Sequence, residues 1–332
     1  MADVRTKPNR ESDDDGRRDR GQLILVTGLA IAVMLVALVL LLNTVIYTQN
    51  LATRGAGLDD SGAVSYRQEV VGGVGGVVDA ENREGYDSRA KVERNVTAAI
   101  GRFDDLTAGY RAERATVARV ETDSVSFTDG TLLYQTNASR TLTSDGRSDD
   151  WTLADDVGEG GGPGVRHVTV TVSRENLSTS ASTAFAVRTR TASDEWRVHL
   201  YDDGSAVAVA VQNASESSPH RVCSASGPEA TVDLTAGTVN GTRCPALDWA
   251  TGVSTPYDLA FENGTEATGT YGVTVAKPPS DGDVRSGNFA GPDAGESPRA
   301  VPAVYAAEFD IHFETSDLSF HTTVRVARGE PA

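Results

Sequence analysis

The chain has 332 residues, with 47 acidic against 30 basic side chains and a formal charge of −17. That surplus of acid excludes the basic footprint that nucleic acid requires, and the cationic surface that anionic lipid attracts. Three of the basic residues are lysine, namely Lys7, Lys91 and Lys277, and only two residues are cysteine.

Residues 1–21 form a charged leader with six cations, Arg5, Lys7, Arg10, Arg17, Arg18 and Arg20. The next stretch, Leu23 to Ile46, holds no charged residue, and Thr27, Gly28, Asn43 and Thr44 are its only polar or small interruptions. As a helix these 24 residues reach about 36 Å, enough to cross a hydrocarbon layer of about 30 Å. A transmembrane helix over 22–47 is therefore expected. The first cation beyond it is Arg54, so counting cations places the N-terminus in the cytoplasm and the C-terminal remainder outside the cell.

Residues 48–118 read as a Gly-rich spacer followed by an amphipathic helix. The run Val70-Val71-Gly72-Gly73-Val74-Gly75-Gly76-Val77-Val78 has neither nucleotide-loop spacing nor a following Gly-Lys-Ser/Thr. It reads as a flexible spacer or a Gly-interrupted helix. Over 88–117, Val92, Val96, Ile100, Phe103, Leu106 and Tyr110 recur at helical steps, with Ser88 as N-cap. Such a stripe needs a partner, and the chain's own β-domain is preferred over a neighbouring subunit.

From 119 to 332 the pattern is β. Strands are predicted at Val165–Val172, Ala184–Arg190, Trp196–Tyr201, Ala206–Val211, Ala230–Leu234, Tyr271–Ala276, Val304–Phe313 and Leu318–Val326. Asp202-Asp203-Gly204-Ser205 marks a hairpin between two of them. Short strands without interleaved helices give a mainly β exterior domain, an antiparallel sandwich-like fold behind a transmembrane helix and a helical stalk.

Six glycosylation sequons follow the apolar run, at Asn95, Asn137, Asn176, Asn213, Asn240 and Asn263, and none precedes it. In an exterior compartment Cys223 and Cys244 are expected to pair as a disulfide. No HExxH, paired His/Cys spacing or Gly-x-Ser-x-Gly occurs. The histidines His167, His199, His220, His312 and His321 read as solvated or hydrogen-bonded side chains. Neither a catalytic residue, a cofactor nor a metal site is expected.

The excess of acid with few lysines resembles proteins of halophilic archaea, where strong salt screens self-repulsion. Asp19-Arg20-Gly21-Gln22, followed directly by Leu23-Ile24-Leu25-Val26, resembles the class III signal peptide of archaeal type IV pilins and related pilin-like proteins. The resemblance implies cleavage between Gly21 and Gln22 by a prepilin peptidase, and a pilus-type assembly platform and other pilin-like subunits as partners. Many pilins carry Glu at the fifth mature position, where this chain has Val26, and the mature chain would be 311 residues long. Both departures point to a minor or accessory subunit, with the β-domain serving interaction or adhesion. Two alternatives stand beside it. One is an unprocessed single-span envelope protein whose β-domain binds a ligand or cell-wall component, and the other is an exterior hydrolase.

Overall fold

The computed structural model describes residues 62–159, 164–247, 254–279, 282, 284–290 and 297–330. The leader, Gly21, Gln22 and the apolar run of 22–47 lie outside them. Among the described residues no helix is long and apolar enough to cross a membrane.

Residues 62–83 form helix α1. Ala63, Tyr66, Val70, Val74 and Val78 recur at three- and four-residue steps and are buried, so the Gly-rich stretch is a helix and not a spacer there. The energy of burying that stripe offsets the poor helix propensity of its glycines, roughly 1 kcal/mol each. One of them is required by packing: a Cβ on Gly73 would lie 2.2 Å from the Phe103 ring, so the missing side chain is what lets the second helix approach.

Helix α2 spans Arg89–Ala112, shorter than the predicted 88–117. Ser88 occupies the N-cap in an extended conformation, but its hydroxyl makes no capping hydrogen bond. Val92, Val96 and Ile100 are buried as expected. The second half of the stripe is not, with Leu106 76% and Tyr110 54% exposed. In that half Thr107 turns inward, and the Asp104 carboxylate accepts the backbone N–H of Val120 at 2.7 Å. The helix ends in a turn where Ala115 takes a left-handed φ of 56°.

Strand β1 (Val117–Gln135) then begins two residues earlier than the β region was predicted. The others are β2 (Trp151–Val157), β3 (Val165–Ser173), β4 (Phe185–Arg190), β5 (Glu195–Asp202), β6 (Val207–Asn213), β7 (His220–Ala225), β8 (Glu229–Asp233), β9 (Thr238–Val239), β10 (Thr242–Arg243), β11 (Tyr257–Glu262), β12 (Gly269–Val275), β13 (Arg299–Glu314) and β14 (Ser319–Val326). Eight form one sheet in the order β10-β9-β8-β3-β12-β1-β13-β14, and six form a second in the order β2-β11-β4-β5-β6-β7. The fold is mainly β and its strand ladders are antiparallel.

Two cores result. The first joins both sheets, with Phe185, Val198, Leu200 and Phe261 from one and Leu133, Val170, Val172 and Val273 from the other. The second lies where α1 and α2 cover the other end of the larger sheet, against Ala118, Val120, Phe309, Ile311, Phe313 and Val324. The helical stripe is thus partnered by the chain's own sheet. Cys223 on β7 and Cys244 just after β10 form the expected disulfide, with Cα atoms 6.1 Å apart. It clips the edge strand of one sheet to the edge strand of the other, and its loop of 21 residues is worth about 3 kcal/mol on a chain-entropy basis.

Candidate functional site

The sequence of β3 breaks its own alternation: between Val165 and Val168 stand two polar residues, Arg166 and His167. The structure resolves the break as a bulge. Pairing with β12 shifts between Gly272 and Thr274, and His167 takes φ 55°, a left-handed conformation that costs a non-glycine residue about 1 kcal/mol or more. The extra residue aims both side chains at α1.

Arg166 is 1% exposed; its two terminal nitrogens make its hydrogen bonds, while the buried Nε makes none. Its guanidinium donates to Asp79 Oδ1 at 2.6 Å, to the Arg328 carbonyl at 2.9 Å and to the Val304 carbonyl at 3.0 Å. His167 Nε2 lies 3.2 Å from the other oxygen of Asp79. Burial pushes the Asp79 carboxyl up, but the His167 imidazole and the Arg166 guanidinium outweigh it and hold the pKa below the ordinary value. The carboxylate therefore stays charged in the fold. One turn on, Asn82 is buried and bonds Val304 twice, accepting its N–H at 2.9 Å and donating to its carbonyl at 2.8 Å. The segment 328–330 closes the arrangement. Gly329 accepts the His167 N–H at 3.3 Å and has φ 76°, and a Cβ there would meet the imidazole at 2.7 Å. Glu330 accepts the Tyr305 hydroxyl at 2.9 Å.

Beside this cluster a groove of about 530 Å³ opens on the sheet. Its walls draw mostly on alternate strand positions: Leu132 and Tyr134 come from β1, with Thr136 just beyond it, Thr270, Gly272 and Thr274 from β12, and His167 and Thr169 from β3. Leu132 is in register with Thr274, and Tyr134, Gly272 and Thr169 lie in one row across three strands. Gly272 leaves the floor of that row without a side chain, and a Cβ there would meet nothing within 4 Å. Asp79, Asn82 and Arg83 close the end at α1. The lining offers threonine hydroxyls, the tyrosines Tyr134 and Tyr271, the His167 imidazole, the Arg83 guanidinium and the amides of Asn82 and Gln135 beside the Asp79 carboxylate. That is the chemistry of a pocket that orients a small polar ligand through hydrogen bonds.

The sequence-predicted residues fall elsewhere. Asn137 lies in the exposed turn after β1, Asn176 in an exposed turn after β3, Asn213 at the end of β6 and Asn240 in the exposed β9–β10 turn. Asn95 is half-buried within α2, and Asn263 sits at φ 54° after β11. Asn176 and Asn263 spend their amide nitrogens on Thr268 and on the Ala184 carbonyl. Of the histidines, His199 is buried, and desolvation lowers its pKa; the others are at least partly exposed. Sequence reasoning missed Asp79, Asn82, Arg166 and Tyr134. The two consecutive polar residues inside an otherwise alternating strand were the available signal.

The model of a family of unknown function (DUF7261) matches residues 17–130. That stretch includes α1, α2 and the start of β1, and with them Asp79 and Asn82, but stops short of Arg166 and His167. No curated protein matches the chain.

Proposed function

We propose that the chain is a membrane-anchored, pilin-like cell-surface protein, a minor or accessory subunit of a type IV pilus-like assembly, whose exterior β-domain serves interaction or adhesion. The observation that carries the reading is Gly21-Gln22 standing directly before 24 uncharged, mostly apolar residues. The disulfide between Cys223 and Cys244 supports an exterior setting for the body that follows. Binding rather than turnover is favoured because the acidic group at the groove is already committed: both oxygens of Asp79 face cationic or imidazole partners that hold the fold together.

Mass spectrometry of the native protein's first peptide, in cells with and without prepilin peptidase, tests this. A start at Gln22 that disappears in the deletion strain is the expected result, together with recovery of the protein in sheared surface filaments. A start within residues 1–21 in both strains overturns it.

The groove also supports the second reading, an unprocessed single-span envelope protein whose β-domain binds a ligand or cell-wall component. Its polar, hydroxyl-lined walls favour an uncharged or zwitterionic ligand over a strongly anionic one. Retention of the leader, with ligand binding lost on filling the floor at Gly272, is its expected signature.

A further inference from the structure

On the face of the large sheet opposite α1 and α2, Arg119, Glu121, His321 and Thr323 are exposed. Ala118, Val120, Phe309, Ile311, Phe313 and Val324 point under the helices, so their neighbours in each strand point away. Those neighbours include Glu121 on β1, Asp310 on β13 and His321 on β14. Glu121 is in register with Asp310, and His321 lies two residues along from Thr323, the β14 partner of Asp310. Three adjacent strands thus bring two carboxylates and an imidazole to one point, with donor atoms all within 4.8 Å of one another.

We propose that Glu121, Asp310 and His321 bind a divalent first-row transition-metal ion, with zinc preferred over calcium or magnesium. Three observations carry this. Two carboxylates directly opposite on neighbouring strands repel each other. Arg119, on the same face of β1, is in register with His312 and forms no salt bridge with either carboxylate among the described residues. A bound cation relieves that repulsion. Next, His321 Nε2 stands 3.4 Å from Glu121 Oε1, and two donors each about 2.1 Å from a tetrahedral ion are themselves about 3.4 Å apart. Finally, the Asp310 carboxylate is oriented from behind, as ligating carboxylates are. The Thr323 hydroxyl donates to Oδ1 at 2.6 Å, which leaves Oδ2 for an ion.

The backbone is built around the same point. Between Glu121 and Ser126 the β1–β13 register shifts, and the Ser124 hydroxyl stitches the bulge back. It accepts the Asp310 N–H at 2.8 Å and donates to the Glu121 carbonyl at 2.7 Å. An imidazole in the set selects a transition metal over the hard cations that carboxylates alone would take. The His312 ring is centred 6.5 Å from that of His321, and water fills any position left open.

Calorimetric titration of zinc into the detergent-solubilised full-length protein at high KCl tests the site, with His321→Ala, His321→Gln, Asp310→Asn and Thr323→Val beside the wild type. One zinc per chain is expected, weakened about tenfold or more by each variant, with equimolar calcium unable to displace it. The substituted side chains are exposed or half-buried, so melting midpoints in EDTA should match the wild type, which separates lost binding from lost folding. Zinc affinity unchanged by either His321 variant, or displacement by equimolar calcium, overturns the proposal and leaves His321 and Glu121 as a surface ion pair.

Discussion

The two ends of the eight-stranded sheet are covered in different ways. At one end a second sheet lies across it, and the contact is almost wholly apolar: Trp151, Phe185, Phe261 and Tyr271 meet edge to face, with ring centroids 5.0 to 6.3 Å apart. At the other end two helices lie across it, and their contact includes Asp79, Asn82 and Arg166, all buried. A sheet facing a sheet is positioned by alternation, since a one-residue slip would expose every inward side chain. A helix on a sheet has no such lock, and a stripe of valines and one tyrosine can slide or rotate by a turn at little cost. The buried ion pair and the double bond from Asn82 to Val304 supply the missing register.

The largest effect expected from this contrast is at Asp79. Asp79→Ala strands Arg166 in the interior and should cost about 3–5 kcal/mol, seen in denaturant unfolding. Hydrogen exchange should show protection lost first over 62–83. Phe261→Ala should cost a similar amount, about 3–5 kcal/mol, yet lower protection in both sheets together. If the two variants give the same exchange pattern, the ends are one cooperative unit and the contrast fails.

Next in size is the clip between the sheets. Replacing both Cys223 and Cys244 by serine should destabilise by about 3 kcal/mol and leave exchange in α1 unchanged relative to the global limit. Acid should act selectively on the helical end. The Asp79 pKa is depressed in the fold, so its contribution is complete above the ordinary carboxylate value and is lost as pH falls through the lower folded value. The helix should loosen below about pH 4, and Asp79→Ala should remove that part of the pH dependence.

The smallest expected effect on stability is at the groove. Gly272→Val adds a β-branched side chain where a Cβ has open space, so stability should change by less than about 1 kcal/mol while the groove is filled. A large loss of stability would show that the strand needs glycine there for its backbone.

Much of the sandwich end was legible in the sequence. The alternation of Val165–Val172 and the Asp202–Ser205 turn marked their strands to within a residue or two. Strands β2 and β11 were not legible, because two register shifts break their shared ladder and with it the pattern. β7 is an edge strand with mostly exposed or half-exposed side chains, so it has no apolar face to read. The groove was less legible still. Asp79 lay within what read as spacer or interrupted helix, and its partner Arg166 is 87 residues away. That Glu121, Asp310 and His321 are neighbours was not legible either, because they meet only through strand pairing.

The way Arg166 is satisfied also constrains the order in which the domain can be completed. Its partners come from α1, from β13 and from residue 328, so during synthesis the guanidinium waits for more than 160 later residues before its last oxygen arrives. Until then β3 carries a charge that no partial fold can bury at low cost. The amino-terminal two thirds of the body therefore cannot commit early to its final packing. A chain ended just before residue 328 should be recognised by proteases as unfinished, although β1 to β14 are all present.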